Sequence, residues 1–278
     1  MIWNVWWRFG DWERREQRIT RVIKETSPEI VGLQEVWATA DENQAERLST
    51  ELGLNWAWAP SPAPNHFQRR IGDTTVQVGN AILSRWPIVS SVSRNLPSTS
   101  ADEGRTALIT VVDAPTGPIG FVTTQLASTV GESALRCEQV RALTGHIVDE
   151  VPEAASLVLT GDFNAEPDSD EIRLLGGHKT APAVSGLILL DAWRYAEPDG
   201  REWTWDRRNP AVLATGEPNA RIDYIFVGYR PSTPALYVRS ARLAGDVPSH
   251  GVWPSDHAAV VADLDGRRTD GDGAGTRH

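Results

Sequence analysis

Short apolar runs, bounded by Gly, Pro, Asn or Asp, recur along almost the whole sequence. Runs of this length that are rich in β-branched and aromatic residues are typical of strands buried on one or both faces. The predicted strands are "MIWNVWW" (1–7), "IVGLQEV" (30–36), "NWAWAP" (55–60), "TTVQVGNAILS" (74–84), "IVSSVSRNL" (88–96), "RTALITVVD" (105–113), "IGFVTTQL" (119–126), "SLVLTG" (156–161), "RIDYIFV" (221–227), "ALYVRSARL" (235–243) and "HAAVVADL" (257–264). This recurrence predicts a fold built mainly from β-sheets.

Helical patterns separate some of these strands. They are "WERREQRITRVIKETSPEI" (12–30), "ENQAERLSTELG" (42–53) and "SALRCEQVRALTGHIVDEV" (133–151). In the last segment, Val140, Leu143, Ile147 and Val151 share one helical face because they recur at spacings of 3, 4 and 4. We therefore predict one α/β (α+β) domain over residues 1–264, with two packed sheets and helices on the outer faces, followed by a disordered tail at residues 265–278.

The formal net charge of −10 limits the functions open to the chain. Proteins that coat duplex nucleic acid carry a basic surface, because displaced counterions drive their binding. An acidic enzyme that acts on phosphates stays possible, since a bound cation supplies the positive charge. Only two short Lys/Arg clusters stand out, "QRR" (68–70) and "DRR" (206–208).

Cysteine content and apolar patterning bear on the compartment. The single cysteine, Cys137, excludes an internal disulfide framework and favours a reducing compartment. No apolar stretch approaches the roughly 18 residues that span a bilayer, and "MIWNVWW" lacks the basic segment and cleavage site of a signal peptide. We expect a cytoplasmic monomer with no membrane anchor.

Polar residues interrupt or follow several of the predicted strands. They are Asn4, Glu35, Asp162, Asn164, Asp223, Asp256 and His257. A carboxylate buried without a partner costs several kcal/mol, so such groups are paired, protonated or metal-bound. Carboxylate and amide oxygens are the ligands of hard cations such as Mg²⁺. Each signal has a simpler alternative when taken alone, since "GDFN" (161–164) also has the composition of a turn.

The order of these motifs along the chain is more informative than any single motif. "WNVWW", "VGLQEVW", "GNAILSRWPI", "LTGDFNAEP", "RIDYIFV" and "SDHAAVVADL" follow one another as in the endonuclease/exonuclease/phosphatase superfamily, and the chain resembles that superfamily from residue 2 to about residue 264. The resemblance implies a DNase I-like fold, which is a four-layer sandwich of two mixed β-sheets with helices outside. It also implies hydrolysis of phosphodiesters or phosphomonoesters with Mg²⁺ or Mn²⁺.

The resemblance assigns a role to each motif residue. Glu35 would be the principal metal ligand, with Asn4 and Asp256 beside it. Asp162 would orient or deprotonate the attacking water, and Asn164 would hold that water or the scissile phosphate.

The remaining motif residues would act on the phosphate. His257 would donate to a phosphate oxygen, and Asp223 would hydrogen-bond His257 and keep it cationic, because a neighbouring carboxylate raises a histidine pKa. Arg105 in "GRTALIT" matches a position that contacts phosphate in the superfamily.

One position departs from the superfamily. Many members carry a histidine where this chain has Gln125, and the facing position, often acidic, matches Asn80. Two neutral amides can hydrogen-bond each other but cannot transfer a proton near pH 7. Either Asp162 and His257 suffice, with Gln125 as a phosphate donor, or the leaving group needs no proton from this side. A third alternative is a non-catalytic relative.

Three tryptophans lie near the motif residues in sequence. Trp6, Trp37 and Trp253 could rim the site and stack on a flat part of the substrate. The alternative for each is ordinary packing between sheets and loops.

The substrate stays open at this stage. Nucleic acid is the substrate class most often implied by the superfamily, and a small phosphorylated molecule is an alternative. A sphingomyelinase-like lipid phosphodiesterase is less favoured, since neither a leader nor an exposed membrane-binding hairpin is evident. Because fold does not fix function, a phosphate-binding or partner-binding module on the same fold is retained as an alternative.

Overall fold

The computed structural model describes residues 1–100, 104–196, 198, 200–230 and 236–266. Within them the chain forms twelve strands: β1 (Ile2–Asn4), β2 (Ile30–Ala38), β3 (Asn55–Pro60), β4 (Gln77–Ser84), β5 (Ile88–Asn95), β6 (Thr106–Ala114), β7 (Gly117–Gln125), β8 (Ser156–Asp162), β9 (Ile188–Asp191), β10 (Asp223–Tyr229), β11 (Tyr237–Ala244) and β12 (Ala259–Asp265). The helices of the same residues are α1 (Trp12–Thr26), α2 (Gln44–Leu52), α3 (Asn65–Ile71), α4 (Ser133–Glu150), α5 (Asp170–Gly176), α6 (Ala192–Ala196) and α7 (Pro210–Thr215).

The described strands form two six-stranded sheets. The first has the order β11-β12-β1-β2-β4-β3 and the second the order β5-β6-β7-β8-β10-β9. Each sheet is mixed, because β1 and β2 run parallel, as do β7 and β8, while the neighbouring pairs are antiparallel. The predicted pair of mixed sheets is therefore confirmed.

Three apolar layers hold the sheets and helices together. Between the sheets, side chains such as Ile2, Phe121 and Ile225 form one buried cluster. On the outer face of the first sheet, Ile19 and Ile23 of α1 join a second cluster. On the outer face of the second sheet, α4 residues including Val140, Leu143 and Ile147 join a third. Burial of each such side chain contributes roughly 1.5–3 kcal/mol to stability. The two sheets and the helices outside them therefore stack in four layers, because every element has an apolar face to cover.

Some boundaries differ from the sequence prediction. Strand β1 ends at Asn4 rather than residue 7, and β2 continues to Ala38 rather than ending at residue 36. Helix α3 and strand β9 were not predicted, because neither is long enough to show a periodic pattern. Of the predicted tail, Asp265 is the last residue of β12, and residues 267–278 lie outside the described residues.

None of the described helices combines the length and the apolar character that crossing a bilayer requires.

Candidate active site

Strand register brings three polar residues into one row at an edge of the second sheet. Gln125 at the end of β7 pairs with Asp162 at the end of β8, and Asp162 pairs with Asp223 at the start of β10. All three side chains are buried. The row forms because two parallel strands end, and an antiparallel strand begins, at the same level.

A β-bulge delivers Glu35 from the first sheet. The register of β2 against β4 shifts between Leu33 and Val36, and Glu35 has a φ of 55°, in the left-handed region. Bulges re-aim side chains, and a non-glycine residue in this region stores of order 1–3 kcal/mol of strain. The bulge explains why β2 continues beyond Glu35 while the carboxylate leaves the regular strand alternation.

Two amides join the carboxylates of the two sheets. Nδ2 of Asn4 donates to Oε1 of Glu35 at 3.1 Å and to Oδ2 of Asp162 at 3.0 Å. Nε2 of Gln125 donates to the same two oxygen atoms at 2.8 and 3.2 Å. Like charges that share a site repel, so these four hydrogen bonds hold the two carboxylates together.

A further hydrogen bond orients the amide of Asn4. Its Oδ1 accepts the backbone N–H of Trp6 at 3.0 Å, and a backbone N–H can only donate. The amide nitrogen of Asn4 therefore faces the carboxylates, and a nitrogen that donates is not a ligand for a hard cation. In this structure Asn4 contacts Glu35 and Asp162 through this nitrogen.

Asp256 supplies a further buried carboxylate to the same cleft. Its side chain accepts a hydrogen bond from Oγ of Ser255 at 3.2 Å. Burial, followed by the charge of Glu35, raises the pKa of Asp256 to about 7, although the positive charge of His257 opposes this shift. Carboxylates that oppose one another's ionisation in this way fit a hard divalent cation, which takes oxygen ligands and offsets their charge.

His257 and Asp223 form a buried pair. Nδ1 of His257 lies 2.8 Å from Oδ2 of Asp223, and Nε2 lies 3.9 Å from Oδ2 of Asp162. Burial alone lowers the pKa of His257, but the carboxylates of Asp223 and Asp162 outweigh it and raise that pKa well above its ordinary value. The indole of Trp205 covers the imidazole at a centroid distance of 4.9 Å. The imidazole is therefore oriented by Nδ1, with Nε2 directed toward Asp162.

Asp162, Asp223 and His257 also form a compact cluster of possible ligand atoms, all within 4.8 Å of one another. Nδ1 of His257 is already engaged by Asp223, however, and hydrogen bonding of this kind accounts for the cluster without an ion.

Asn164 lies at the turn that follows β8. Its backbone has a φ of 48°, its N–H donates to Oδ1 of Asp162 at 3.1 Å, and its Nδ2 donates to the carbonyl of Leu126 at 3.2 Å. The segment is thus both a turn and part of the site, since the turn closes on the Asp162 carboxylate.

These groups meet in one cleft with a volume of about 310 Å³, which is lined by Glu35, Gln125, Asp162, Asn164, Asp256, His257 and Trp6, among others. The rim position expected for Trp37 is wrong, because Trp37 is fully buried and packs edge-on against Trp12 at 5.4 Å. Trp253 is half-buried and is not among the residues that line this cleft. Of the three tryptophans, Trp6 is the one that reaches the cleft.

Arg105 and Asn80 line a neighbouring cavity that shares Gln125 and Ser128 with the main cleft. Nη2 of Arg105 donates to Oγ of Ser128 at 2.9 Å, and Nδ2 of Asn80 donates to the carbonyl of Thr106 at 2.9 Å. The possible bond between Asn80 and Gln125 does not form, since Gln125 donates to Glu35 and Asp162 instead. Arg105 and Asn80 therefore lie in the cavity next to the Glu35–Asp162 carboxylate pair.

Arg15 of α1 is a residue that the sequence analysis missed. It is 3% exposed, and its guanidinium donates to the carbonyls of Val5, Trp6, Trp7, Phe9 and Pro254 at 2.8 to 3.2 Å.

These bonds tie the segment after Asn4 to the segment before Asp256. Burial lowers the pKa of Arg15 to about 10, which leaves it cationic at neutral pH. The available signal was its position four residues before Ile19 on the apolar face of α1.

Comparisons with known proteins agree with this architecture. The Endonuclease/Exonuclease/phosphatase family matches residues 1–257. Among curated proteins, none matches this chain significantly.

Solved structures also resemble the chain. D. rerio TDP2 complexed with single strand DNA product superposes with a TM-score of 0.73 at 19% identity, covering 95% of this chain and 97% of that one. The human Nocturnin catalytic domain with bound sulfate anion gives 0.70 at 22% identity, covering 95% and 92%. An endonuclease/exonuclease/phosphatase from Beutenbergia cavernae gives 0.68 at 24% identity, covering 95% and 70%. These likenesses establish the fold.

Proposed function

This chain belongs to the Endonuclease/Exonuclease/phosphatase family, and from that premise we propose that it is a divalent-metal-dependent phosphodiesterase acting by in-line attack of water. Members of the family are generally phosphoric ester hydrolases, so hydrolase chemistry of the phosphodiesterase or nuclease type is the general expectation. The metal, the substrate and the residue roles given below are the proposal.

One observation carries it. Carboxylates from two different sheets, Glu35 and Asp162, share the donors Asn4 and Gln125 in the cleft that also holds the His257–Asp223 pair. Convergence of acids and an imidazole from a bulge in β2, the end of β8, the start of β10 and the loop before β12 serves no packing purpose, because each buried charge costs free energy.

Glu35 and Asp256 are the proposed ligands of Mg²⁺ or Mn²⁺. Their donor atoms are hard oxygens, and the pKa of Asp256 is raised first by burial and then by the charge of Glu35, both of which a bound cation would offset. The bound cation would supply charge neutralisation at the phosphate oxygens. Asn4 and Gln125 hold the first of these ligands in place, as amide donors commonly do around metal sites.

The other residues act on water and phosphate. Asp162 would orient or deprotonate the water, and burial, its largest influence, raises its pKa and so increases its basicity. Nε2 of cationic His257 would donate to a phosphate oxygen and stabilise the charge that develops in the transition state. Asp223 would keep the imidazole oriented and protonated, and Asn164, which lines the same cleft, would contact the phosphate or the water.

Hydrolysis of bis-p-nitrophenyl phosphate and p-nitrophenyl phosphate with Mg²⁺ or Mn²⁺ tests the proposal. We expect turnover of the diester that chelation of the metal abolishes. Glu35→Gln and His257→Asn should each lower kcat by roughly 100-fold or more.

Glu51→Gln is the matched control, because Glu51 is exposed on α2 outside the cleft. If wild type and both site variants are equally inert on these esters and on single-stranded oligonucleotides, the chain is a non-catalytic relative and the proposal fails.

A further inference from the structure

Helix α3 forms one wall of the cleft and carries the first of the two basic clusters in the sequence. It lies between β3 and β4, and His66, Phe67 and Arg70 all line the cleft that contains Glu35 and His257. The helix is short, but its placement beside the carboxylates gives it access to whatever occupies the cleft.

The helix is held rigidly in place. The ring of Phe67 stacks on Phe9 at a centroid distance of 5.7 Å and meets Trp7 edge-on at 5.5 Å. The buried amide of Gln68 donates to the carbonyls of Thr74 and Val76 at 3.0 and 3.1 Å. Rigid support of this kind fixes the side chains that face the cleft before any substrate arrives.

Arg70 follows Phe67 by one helical turn and lies on the same wall. Its guanidinium carbon is 3.9 Å from the ring centre of Phe9, in a cation–π contact. Within the described residues, no carboxylate lies within 4.0 Å of any Arg70 nitrogen, and its side chain donates no hydrogen bond to them. A guanidinium stacked on a ring keeps its N–H groups at the edge, where they are available to an anion.

The second basic cluster behaves differently. Arg208 is paired with Asp206 at 2.7 Å and with Asp246 at 3.7 Å, so its charge is already balanced. The chain is acidic, and the cleft holds the carboxylates of Glu35, Asp162 and Asp256. Arg70, which pairs with no carboxylate among the described residues, therefore gives the cleft wall a local positive charge that attracts anions.

We propose that Arg70 binds a second phosphate group of the substrate, beside the one that is hydrolysed. The inference rests on the proposed function, and it names the substrate class as phosphodiesters that carry another phosphate within the same cleft. An internucleotide phosphate of a single strand and a terminal phosphate of a nucleotide supply the same chemistry.

Two chromogenic esters isolate this contact. The p-nitrophenyl 5′-ester of thymidine monophosphate and its 3′-phosphorylated counterpart share the scissile bond and the leaving group and differ by one phosphate. For the wild type we expect the 3′-phosphorylated ester to have a KM about 5- to 10-fold lower, as for a charge-assisted contact at a partly exposed site. Arg70→Gln should bring the ratio of the two KM values close to one, and Arg70→Lys should retain part of the preference.

Arg69→Gln is the control, because Arg69 is the adjacent exposed arginine and lies outside the cleft lining. Equal KM values for the two esters in the wild type, or a preference that persists in Arg70→Gln, would overturn the assignment while leaving the proposed hydrolysis intact.

Should the wild type turn over neither ester, calorimetric titration with thymidine 3′,5′-bisphosphate and thymidine 5′-monophosphate decides the matter independently. Tighter binding of the bisphosphate that disappears in Arg70→Gln supports the Arg70 site, and equal binding refutes it. A dinucleotide with an internal second phosphate, compared with the 3′-phosphorylated ester, distinguishes the two sources of the phosphate.

Discussion

Nε2 of Gln125 lies 2.8 Å from Oε1 of Glu35, so an amide of the second sheet supports a carboxylate of the first. Many superfamily members resembled by this sequence carry a histidine at that position. An amide does not titrate near neutral pH, so its donated hydrogen bond is present at every pH at which the protein folds. Gln125 therefore acts here as a fixed support for the carboxylate pair.

Removal of this amide should weaken metal binding. Gln125→Ala deletes the donor to Glu35 and Asp162, and we expect the dissociation constant for Mn²⁺ to rise by about 10-fold, as for other supports of metal ligands. Isosteric Gln125→Glu should weaken binding of substrate phosphate and destabilise the metal-free protein, because it adds a third carboxylate. Calorimetry with Mn²⁺ measures the first effect.

Gln44→Ala is the control for loss of a buried glutamine, since Gln44 lies on α2 away from the cleft. An unchanged Mn²⁺ affinity in Gln125→Ala would show that the amide does not support the site.

The His257–Asp223 pair predicts a pH dependence. The pKa of His257 is raised well above its ordinary value of 6.5 by Asp223 and Asp162, despite burial. The corresponding stability is fully present below pH 6.5 and is lost as pH rises through the raised folded-state pKa. Asp223→Asn should lower the pKa of His257, reduce stability most at acidic to neutral pH, and move the alkaline limit of activity downward.

The titration of the His257 ring nitrogens by NMR in the metal-free protein measures this pKa directly. His257→Asn assigns the signals. A wild-type midpoint at or below 6.5, or one that Asp223→Asn leaves in place, would contradict the pairing as the cause.

Asp256 predicts proton release on metal binding. Its pKa is raised from 3.8 to about 7 by burial and by Glu35, so a fraction of the metal-free protein holds a proton there at pH 7. A divalent cation favours the ionised carboxylate and should expel that proton, most strongly between about pH 6 and 7. Calorimetry in buffers of different ionisation enthalpy counts the protons released, and Asp256→Asn should reduce the count.

Stability changes with pH in the same direction as for His257, because the folded-state pKa of both groups is raised. Between pH 3.8 and about 7 the folded state holds a proton that the unfolded state has released, so this residue lowers stability as pH rises. Chemical denaturation with and without Mg²⁺ should show that the cation removes most of this loss. Proton release that is independent of pH across this window would argue against Asp256 as the group involved.

Arg15 should be essential for the geometry of the site. Arg15→Lys cannot reproduce a planar fork that reaches five carbonyls, so several buried carbonyls lose their donor, at a cost of roughly 3 kcal/mol or more. Because those carbonyls flank Asn4 and Asp256, Mn²⁺ affinity should fall together with stability in urea denaturation.

Arg230→Lys provides the comparison, since Arg230 is also buried and donates to the carbonyls of Val151 and Pro152, away from the cleft. The Arg230→Lys variant should lose stability and keep its affinity for Mn²⁺. Equal losses of Mn²⁺ affinity in Arg15→Lys and Arg230→Lys would show that Arg15 has no specific effect on the metal site.

Much of the fold was accessible from the sequence because its signals are local. Alternation and apolar spacing identified helices α1, α2 and α4 and the strands of both sheets, except β9. Asp162 was singled out for the same reason, at the end of an apolar run, whereas Gln125 was singled out through the family resemblance. Short elements such as α3 gave no periodic signal, because seven residues cover only about two helical turns.

The sequence by itself determined which chemical groups are present, the elements that carry them and the family to which the chain belongs. Tertiary structure alone decided how those groups are used. It turned Glu35 out of its strand by a bulge, buried Trp37, directed the amide nitrogen of Asn4 at two carboxylates and linked Arg15 to the carbonyl of the distant Pro254. The physical reason is that periodicity depends on neighbours a few residues away, whereas the partner of a buried amide or guanidinium is set by how two sheets pack. Asn4 and Asp162, 158 residues apart, meet only once that packing is complete.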